Sequence, residues 1–116
     1  MVKGAAVSPE QATVNNELRV RLRDMLEDRL ETEVEPRAYD DNTTQSIVVR
    51  LQELAPDDYE NKLRIAGFTL MPWRAGDEIE SACATCMYYV VHRRFCELPE
   101  LMLPVEPEWS CRLWRI

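Results

Sequence analysis

Glycine and histidine are both scarce in this chain, with three glycines and one histidine among 116 residues. Phosphate-binding loops need closely spaced glycines that let backbone amides approach the ligand, and no such loop is present. The lone histidine, His92, cannot be built into a convincing nucleophile and base arrangement, because no recognisable oxyanion loop accompanies it. We therefore predict that the protein is not an enzyme.

Long apolar runs are also missing. No stretch approaches the roughly 20 residues that a membrane span requires, and the opening residues MVKGAAVSPEQ lack the apolar core of a secretory signal. These absences predict a cytoplasmic protein with no membrane partner. Because the cytoplasm keeps thiols reduced, the four cysteines of the chain are expected to bind a metal or to be buried rather than to form disulfides.

Basic residues are too few to balance the acidic ones, and the net charge is −7. Residues 81–116 hold four acids and four bases, so the whole excess of acids lies in residues 1–80. A surface of this sign repels phosphate backbones, which argues against nucleic-acid binding. An acidic inhibitor or DNA mimic stays open as an alternative, although scattered acids usually form a solvated face.

Helical patterns are what the first two thirds do contain. Ser8-Pro9-Glu10-Gln11 predicts a helix start with Ser8 as the N-cap. An apolar stripe then runs from Val14 to Leu30, and Pro36 is expected to end the pattern. The stripe could form the core of the domain, and part of it, over residues 14–30, could also pair with a second copy in a homo-oligomer.

Two further helices are predicted after the first. One should be capped within residues 41–44, and the next should open at Pro56 and end with Gly67 as its C′ residue. The stretch FTLMPW that follows favours an edge strand, and a turn is expected around Gly76. The proline-rich stretch between Cys96 and Cys111 predicts little helix or strand.

These patterns predict a mainly α protein. About three helices should be followed by a loop-rich region that a four-cysteine metal site staples together. We expect residues 1–80 to form an acidic helical region and residues 81–116 a metal-binding subdomain, with both in one compact unit.

All four cysteines lie in the last third, in the pattern Cys83-x2-Cys86-x9-Cys96-x14-Cys111. A two-residue gap lets one turn aim two thiolates at a common point, and two more arriving from separate loops complete a four-sulfur cage. The spacing predicts a metal site with these four ligands. Alternatives that remain open are simple buried cysteines and a zinc site in which His92 replaces one thiolate.

Aromatic residues crowd the same segment. Such a wall excludes solvent and can protect an iron–sulfur cluster, or it can form a minimal core over a zinc ion. The residues that we predict to shield a cofactor are Tyr88, Phe95, Trp109 and Trp114.

The motifs CATCMYY and EWSCRLW, together with the lone Cys96, resemble the high-potential iron–sulfur proteins and the related small subunits of some glycyl-radical enzymes. The resemblance covers residues 83–116 only. It implies one four-iron cluster, [4Fe-4S], held by the four cysteines. From the residues alone, one Zn²⁺ ion stays nearly as well supported.

The expected function is that of a small non-enzymatic metal-binding protein. We predict a structural or assembly subunit of a larger complex with a protein partner. Electron transfer through one [4Fe-4S] cluster is the first alternative.

Overall fold

The computed structural model describes residues 8–74 and 80–115, and the turn expected around Gly76 lies outside these residues. The fold is mainly α, as the sequence predicts. Its helices are α1 (Pro9–Glu27), α2 (Asp41–Gln52) and α3 (Tyr59–Ala66), and its strands are β1 (Tyr89–Val90), β2 (Phe95–Cys96) and β3 (Leu103–Pro104). Within the described ranges, no helix combines the length and apolar character needed to cross a membrane.

Helix α1 begins where the capping pattern places it and ends earlier than expected. The Ser8 hydroxyl oxygen accepts a hydrogen bond from the Gln11 amide at 3.1 Å. The helix stops at Glu27, and Arg29 then adopts a left-handed backbone with φ of 66°. The prediction that the helix continues towards Pro36 is therefore wrong. Leu30 still packs against the core from outside the helix, which is why the apolar periodicity did not reveal the end.

The other two helices are capped by aspartates. Asp40 caps α2, one residue before the predicted range, and Asp58 caps α3, which begins at Tyr59 rather than at Pro56. Gly67 ends α3 in the left-handed region with φ of 70°, as predicted. A Cβ atom at this position would collide with the carbonyl oxygen of Glu33, so the turn requires glycine both for its backbone angle and for the close approach.

A three-stranded antiparallel sheet in the order β1-β2-β3 organises the last third. Cys96 pairs with Tyr89 on one side and with Leu103 on the other. Strand β3 lies inside the proline-rich stretch but is only two residues long, so the prediction of little helix or strand there is confirmed. Pro104 is tolerated because β3 is an edge strand.

The segment FTLMPW does not form the expected edge strand. It contributes two isolated antiparallel bridges, Thr69 to Ser110 and Trp73 to Ser81. Pro72 lies between them and has no amide hydrogen to donate, so a continuous ladder is not available there. The first bridge nevertheless joins the end of the helical region to the segment that carries Cys111.

One hydrophobic core runs through both parts of the chain. It includes Leu22, Ile47 and Leu63 from the helices and Leu101 and Trp109 from the last third. Side chains from both parts are therefore removed from water together, and this shared burial is the main favourable term that holds the helices against the cysteine-bearing loops.

Buried cations add directed contacts across the same boundary. Arg19, which is 4% exposed, donates to the carbonyl oxygens of Val105 at 3.1 Å, Arg93 at 3.1 Å and Arg94 at 2.8 Å. Lys62 donates to the carbonyl of Leu101 at 3.0 Å. These loops have few strand partners for their carbonyls, so long basic side chains from the helices satisfy them instead.

Candidate metal centre

The four cysteines, which lie in three segments of the last third, line a single small cavity. Its walls are completed by Phe68, Tyr89 and Trp114, and its lining is almost wholly apolar. The cavity has a volume of about 20 Å³, which is more than the ~10–15 Å³ that one buried water needs. The fold thus brings all four predicted ligands to one place, around a void.

Cys83 and Cys86 lie at the two ends of one tight turn. Residues Cys83–Thr85 form a single turn of 3-10 helix. The Cys86 amide donates to the Cys83 carbonyl at 3.0 Å, and the Cys83 amide donates to the Trp109 carbonyl at 2.6 Å. The turn is therefore fixed internally and also to the segment just before Cys111.

Cys96 and Cys111 reach the cavity from two other segments. Cys96 lies on the central strand β2 and is held on both sides by the sheet. Cys111 follows Ser110, whose backbone exchanges hydrogen bonds with Thr69 at 2.8 and 3.1 Å. The bridge between Thr69 and Ser110 thus sets the position of the last cysteine relative to the end of α3.

Burial differs among the four thiols, all of which are free. Cys83, Cys96 and Cys111 are buried, whereas Cys86 is half-buried. Loss of solvation raises the pKa of Cys83 well above its ordinary value, and neighbouring cysteines raise it further. Burial also raises the pKa of Cys96 to about 12, and it raises the pKa of Cys111 as well. Without a bound cation these thiols stay protonated, so metal binding must displace protons.

Two backbone amides act in the opposite direction. The N–H of Leu98 favours the Cys96 thiolate and lowers its pKa, and the N–H of Leu113 does the same for Cys111. Each amide belongs to the second residue after its cysteine. Backbone donors aimed at ligand sulfurs are a common way to stabilise metal-bound thiolates, and here they are available in a segment without glycine.

The predicted aromatic shield divides into residues at the cavity and residues near it. Trp114 lines the cavity, and its indole nitrogen donates to the Thr85 hydroxyl at 3.0 Å. Trp109 and Phe95 are buried outside the cavity lining, and Tyr88 lines a different depression on the surface. Sequence reasoning missed Phe68, and it chose Tyr88 rather than Tyr89 for the shield. Tyr88 lies in the turn just before β1, whereas Tyr89 is the first residue of that strand.

The single histidine lies away from the centre. His92 is exposed in the short 3-10 turn Val91–Arg93 and does not line the cavity. Within residues 8–74 and 80–115, no three side chains of His, Cys, Asp or Glu converge on one point at the distances of a single bound ion. The thiols surround a space rather than meeting in its middle.

Comparisons with known proteins give no further guidance, since no family model, curated protein or solved structure matches this chain.

Proposed function

We propose that the protein binds a metal cofactor through Cys83, Cys86, Cys96 and Cys111, and that it serves as a non-enzymatic structural or assembly subunit. The preferred cofactor is one [4Fe-4S] cluster, with one Zn²⁺ ion as the alternative. The observation that carries the proposal is that four free thiols from three segments ring one apolar cavity. Such a site requires a reducing compartment, because oxidation would remove the thiolate ligands.

The spacing of the thiols favours the cluster over the single ion. Four thiolates bound to zinc at about 2.3 Å would lie in van der Waals contact with one another around the metal. In the part of the chain that the structure describes, no three His, Cys, Asp or Glu side chains converge at the distances of a single bound ion. A four-iron cluster binds each cysteine through a different iron atom, so its ligands lie further apart.

A structural role follows from how little regular secondary structure the last third contains. Each of its three strands is two residues long, which is too short for independent stability. A cofactor that joins the Cys83–Cys86 turn, β2 and the segment at Cys111 would fix all three at once.

Along α1, Leu22 is buried in the core of its own chain while Val14 and Val20 are exposed, so pairing with a second copy could use only these outer positions.

Electron transfer is the second candidate, and one observation favours it. Cys86 and Trp114 are only half-buried, whereas the other three cysteines are buried. The cavity therefore approaches the surface at one side, where a redox partner could come close to the cofactor.

The decisive experiment is anaerobic purification followed by iron, sulfide and zinc analysis and a visible spectrum. We expect a brown protein with absorbance near 400 nm and about four iron and four sulfide per chain. Stoichiometric zinc in a colourless protein would support the alternative cofactor. Four thiols that titrate freely in the folded protein, with neither metal bound, would overturn the proposal.

Variants sharpen the result. Cys111→Ser removes a buried ligand and should abolish stable loading, whereas Cys86→Ser at the half-buried position should leave a weaker and partly loaded site. The matched control is Met87→Ala, an exposed position that is next to the ligand Cys86 but does not line the cavity. Reversible reduction of the loaded protein would favour the electron-transfer role, and its absence would favour the structural one.

A further inference from the structure

Arg37 is a cation that the fold holds directly against the last cysteine. It lies in the connection between α1 and α2, is half-buried, and donates from its terminal guanidinium nitrogen to the carbonyl oxygen of Cys111 at 2.9 Å. A second nitrogen donates to the Val34 carbonyl at 3.2 Å. The guanidinium carbon is also 4.5 Å from the centre of the Trp73 ring. Three contacts therefore fix the position of its charge.

The partners of Arg37 differ from those of the other arginines near the cysteines. Arg112 contacts Glu33, Arg93 contacts Glu97 and Arg94 contacts Glu106. Among the residues that the structure describes, no carboxylate lies within 4.0 Å of Arg37, whose hydrogen bonds go to neutral carbonyls. The charge of Arg37 is therefore held beside the backbone of Cys111, with no carboxylate among the described residues to neutralise it.

Charge balance gives this placement a consequence. Four thiolates around one Zn²⁺ ion, or around an oxidised four-iron cluster, leave about two negative charges at the site. In a buried apolar environment such charge is costly unless a cation lies nearby. Reduction of a cluster adds one more negative charge, so a fixed cation stabilises the reduced form more than the oxidised form.

We infer that Arg37 is a positioning and charge-balancing residue of the metal centre, which anchors the Cys111 backbone and sets the electrostatic potential at the cofactor. This inference rests on the proposed four-cysteine site. It assigns to the α1–α2 connection a part in tuning a cofactor whose ligands all come from the last third. Trp73 stacks on the guanidinium and restricts the movement of the charge towards solvent.

Two substitutions of Arg37 separate charge from hydrogen bonding. Arg37→Gln removes the charge, whereas Arg37→Lys keeps it and loses the planar fork. Arg50→Gln is the matched control, because Arg50 is an exposed arginine that pairs with Glu33 and has no contact with the cavity. All variants are first assayed for cofactor content, so that a failure of the site itself is recognised before its tuning is measured.

For a bound cluster, the readout is the midpoint potential of the loaded protein. We expect Arg37→Gln to lower the ratio of reduced to oxidised protein about tenfold at a given ambient potential, which corresponds to about 59 mV for one electron. Arg37→Lys should stay close to the wild type, as should Arg50→Gln. For a bound zinc ion, the readout is competition with a coloured chelator, where Arg37→Gln should weaken retention about tenfold and Arg37→Lys should restore it.

The outcomes are distinct. A wild-type protein without metal overturns both the proposed function and this inference. A loaded wild type whose potential or zinc retention is unchanged in Arg37→Gln overturns the inference and leaves the proposed function standing. Equal shifts in Arg37→Gln and Arg37→Lys would overturn the charge-balancing role, because both variants lose the fork and only one loses the charge.

Discussion

The helical region and the last third of this protein are stabilised by different kinds of interaction. The three helices have capped ends and buried apolar faces, and their backbone hydrogen bonds are local. The last third has two-residue strands, tight turns and three prolines between Cys96 and Cys111. Several of its backbone carbonyls accept hydrogen bonds from basic side chains of the helical region. The first region can form from neighbouring residues, whereas the second depends on partners that it does not contain.

This difference teaches where a cofactor has most effect. A metal centre contributes little to a helix that is already capped and packed, but it can supply the missing cross-links of a loop-rich segment. Basic side chains of the helical region supply the other cross-links, at Val105, Leu101 and Cys111. If the cofactor and these basic side chains both stabilise the last third, the loss of either should affect the two regions differently, and the loss of the cofactor should have the larger effect.

Removal of the cofactor should separate the two regions most strongly. We expect chelation of the loaded protein to raise amide exchange in residues 81–115 at least about 100-fold, with a much smaller change in α1, α2 and α3. The measurement is hydrogen exchange followed by mass spectrometry. Cys111→Ser is the control, because the chelator should change nothing further in a protein that is already unloaded. Equal loosening of both regions would contradict the comparison.

Loss of a single cation should weaken the connection between the regions. Arg19→Met removes the donors to the carbonyls of Val105, Arg93 and Arg94, and we expect it to lower the free energy of unfolding by about 3 kcal/mol. Denaturant unfolding measures the effect. Arg21→Met, at an exposed position of the same helix, should change stability by less than about 0.5 kcal/mol. A similar loss in both variants would show that the loop carbonyls do not depend on Arg19.

Glu33 should give the smallest effect, with a characteristic pH dependence. It accepts hydrogen bonds from Arg50 at 2.7 and 2.6 Å and lies 3.4 Å from Arg112. The Arg50 hydrogen bonds are the main cause that lowers the Glu33 pKa from its ordinary value of 4.5. A lowered carboxyl pKa means that the stabilisation is complete above the ordinary value and is lost as the pH falls through the lowered one.

Because the side chain is 37% exposed, solvent screens this ion pair. We expect Glu33→Gln to cost about 0.5 kcal/mol at neutral pH, and the cost should disappear in acid. Parallel unfolding curves of the wild type and the variant at several pH values measure it. A difference that persists unchanged into acid would assign the effect to packing rather than to charge.

The local features of the helical region could be predicted because they are written in neighbouring residues. Ser8 and Gly67 both occupy the cap positions that their local sequence indicates. The early end of α1 could not be found in this way, since Leu30 continues the apolar spacing after the backbone has left the helix. A glycine at position 29 would have indicated the left-handed backbone that ends the helix. Arg29 adopts that conformation without any such signal in the sequence.

In the candidate site, spacing indicated the four cysteines but not their surroundings. Phe68 lines the cavity and Arg37 contacts the Cys111 carbonyl, yet they precede Cys83 by 15 and 46 positions in the sequence. No local pattern links either residue to a cysteine. The sequence did not indicate strand β3 for a related reason. Leu103 pairs with Cys96 across a turn, and the prolines in this stretch argue against a strand. Long-range contacts of this kind are set by the whole fold.

The contact between Arg19 and Val105, which joins residues 86 positions apart, has a consequence for the order of events during synthesis. The chain grows from its N-terminus, so α1 is complete long before the carbonyl that it must reach has been made. Contacts so distant in sequence are slow to form. All four cysteines of the proposed site are present only after Cys111 has emerged, so the insertion of a cofactor there would be a late event.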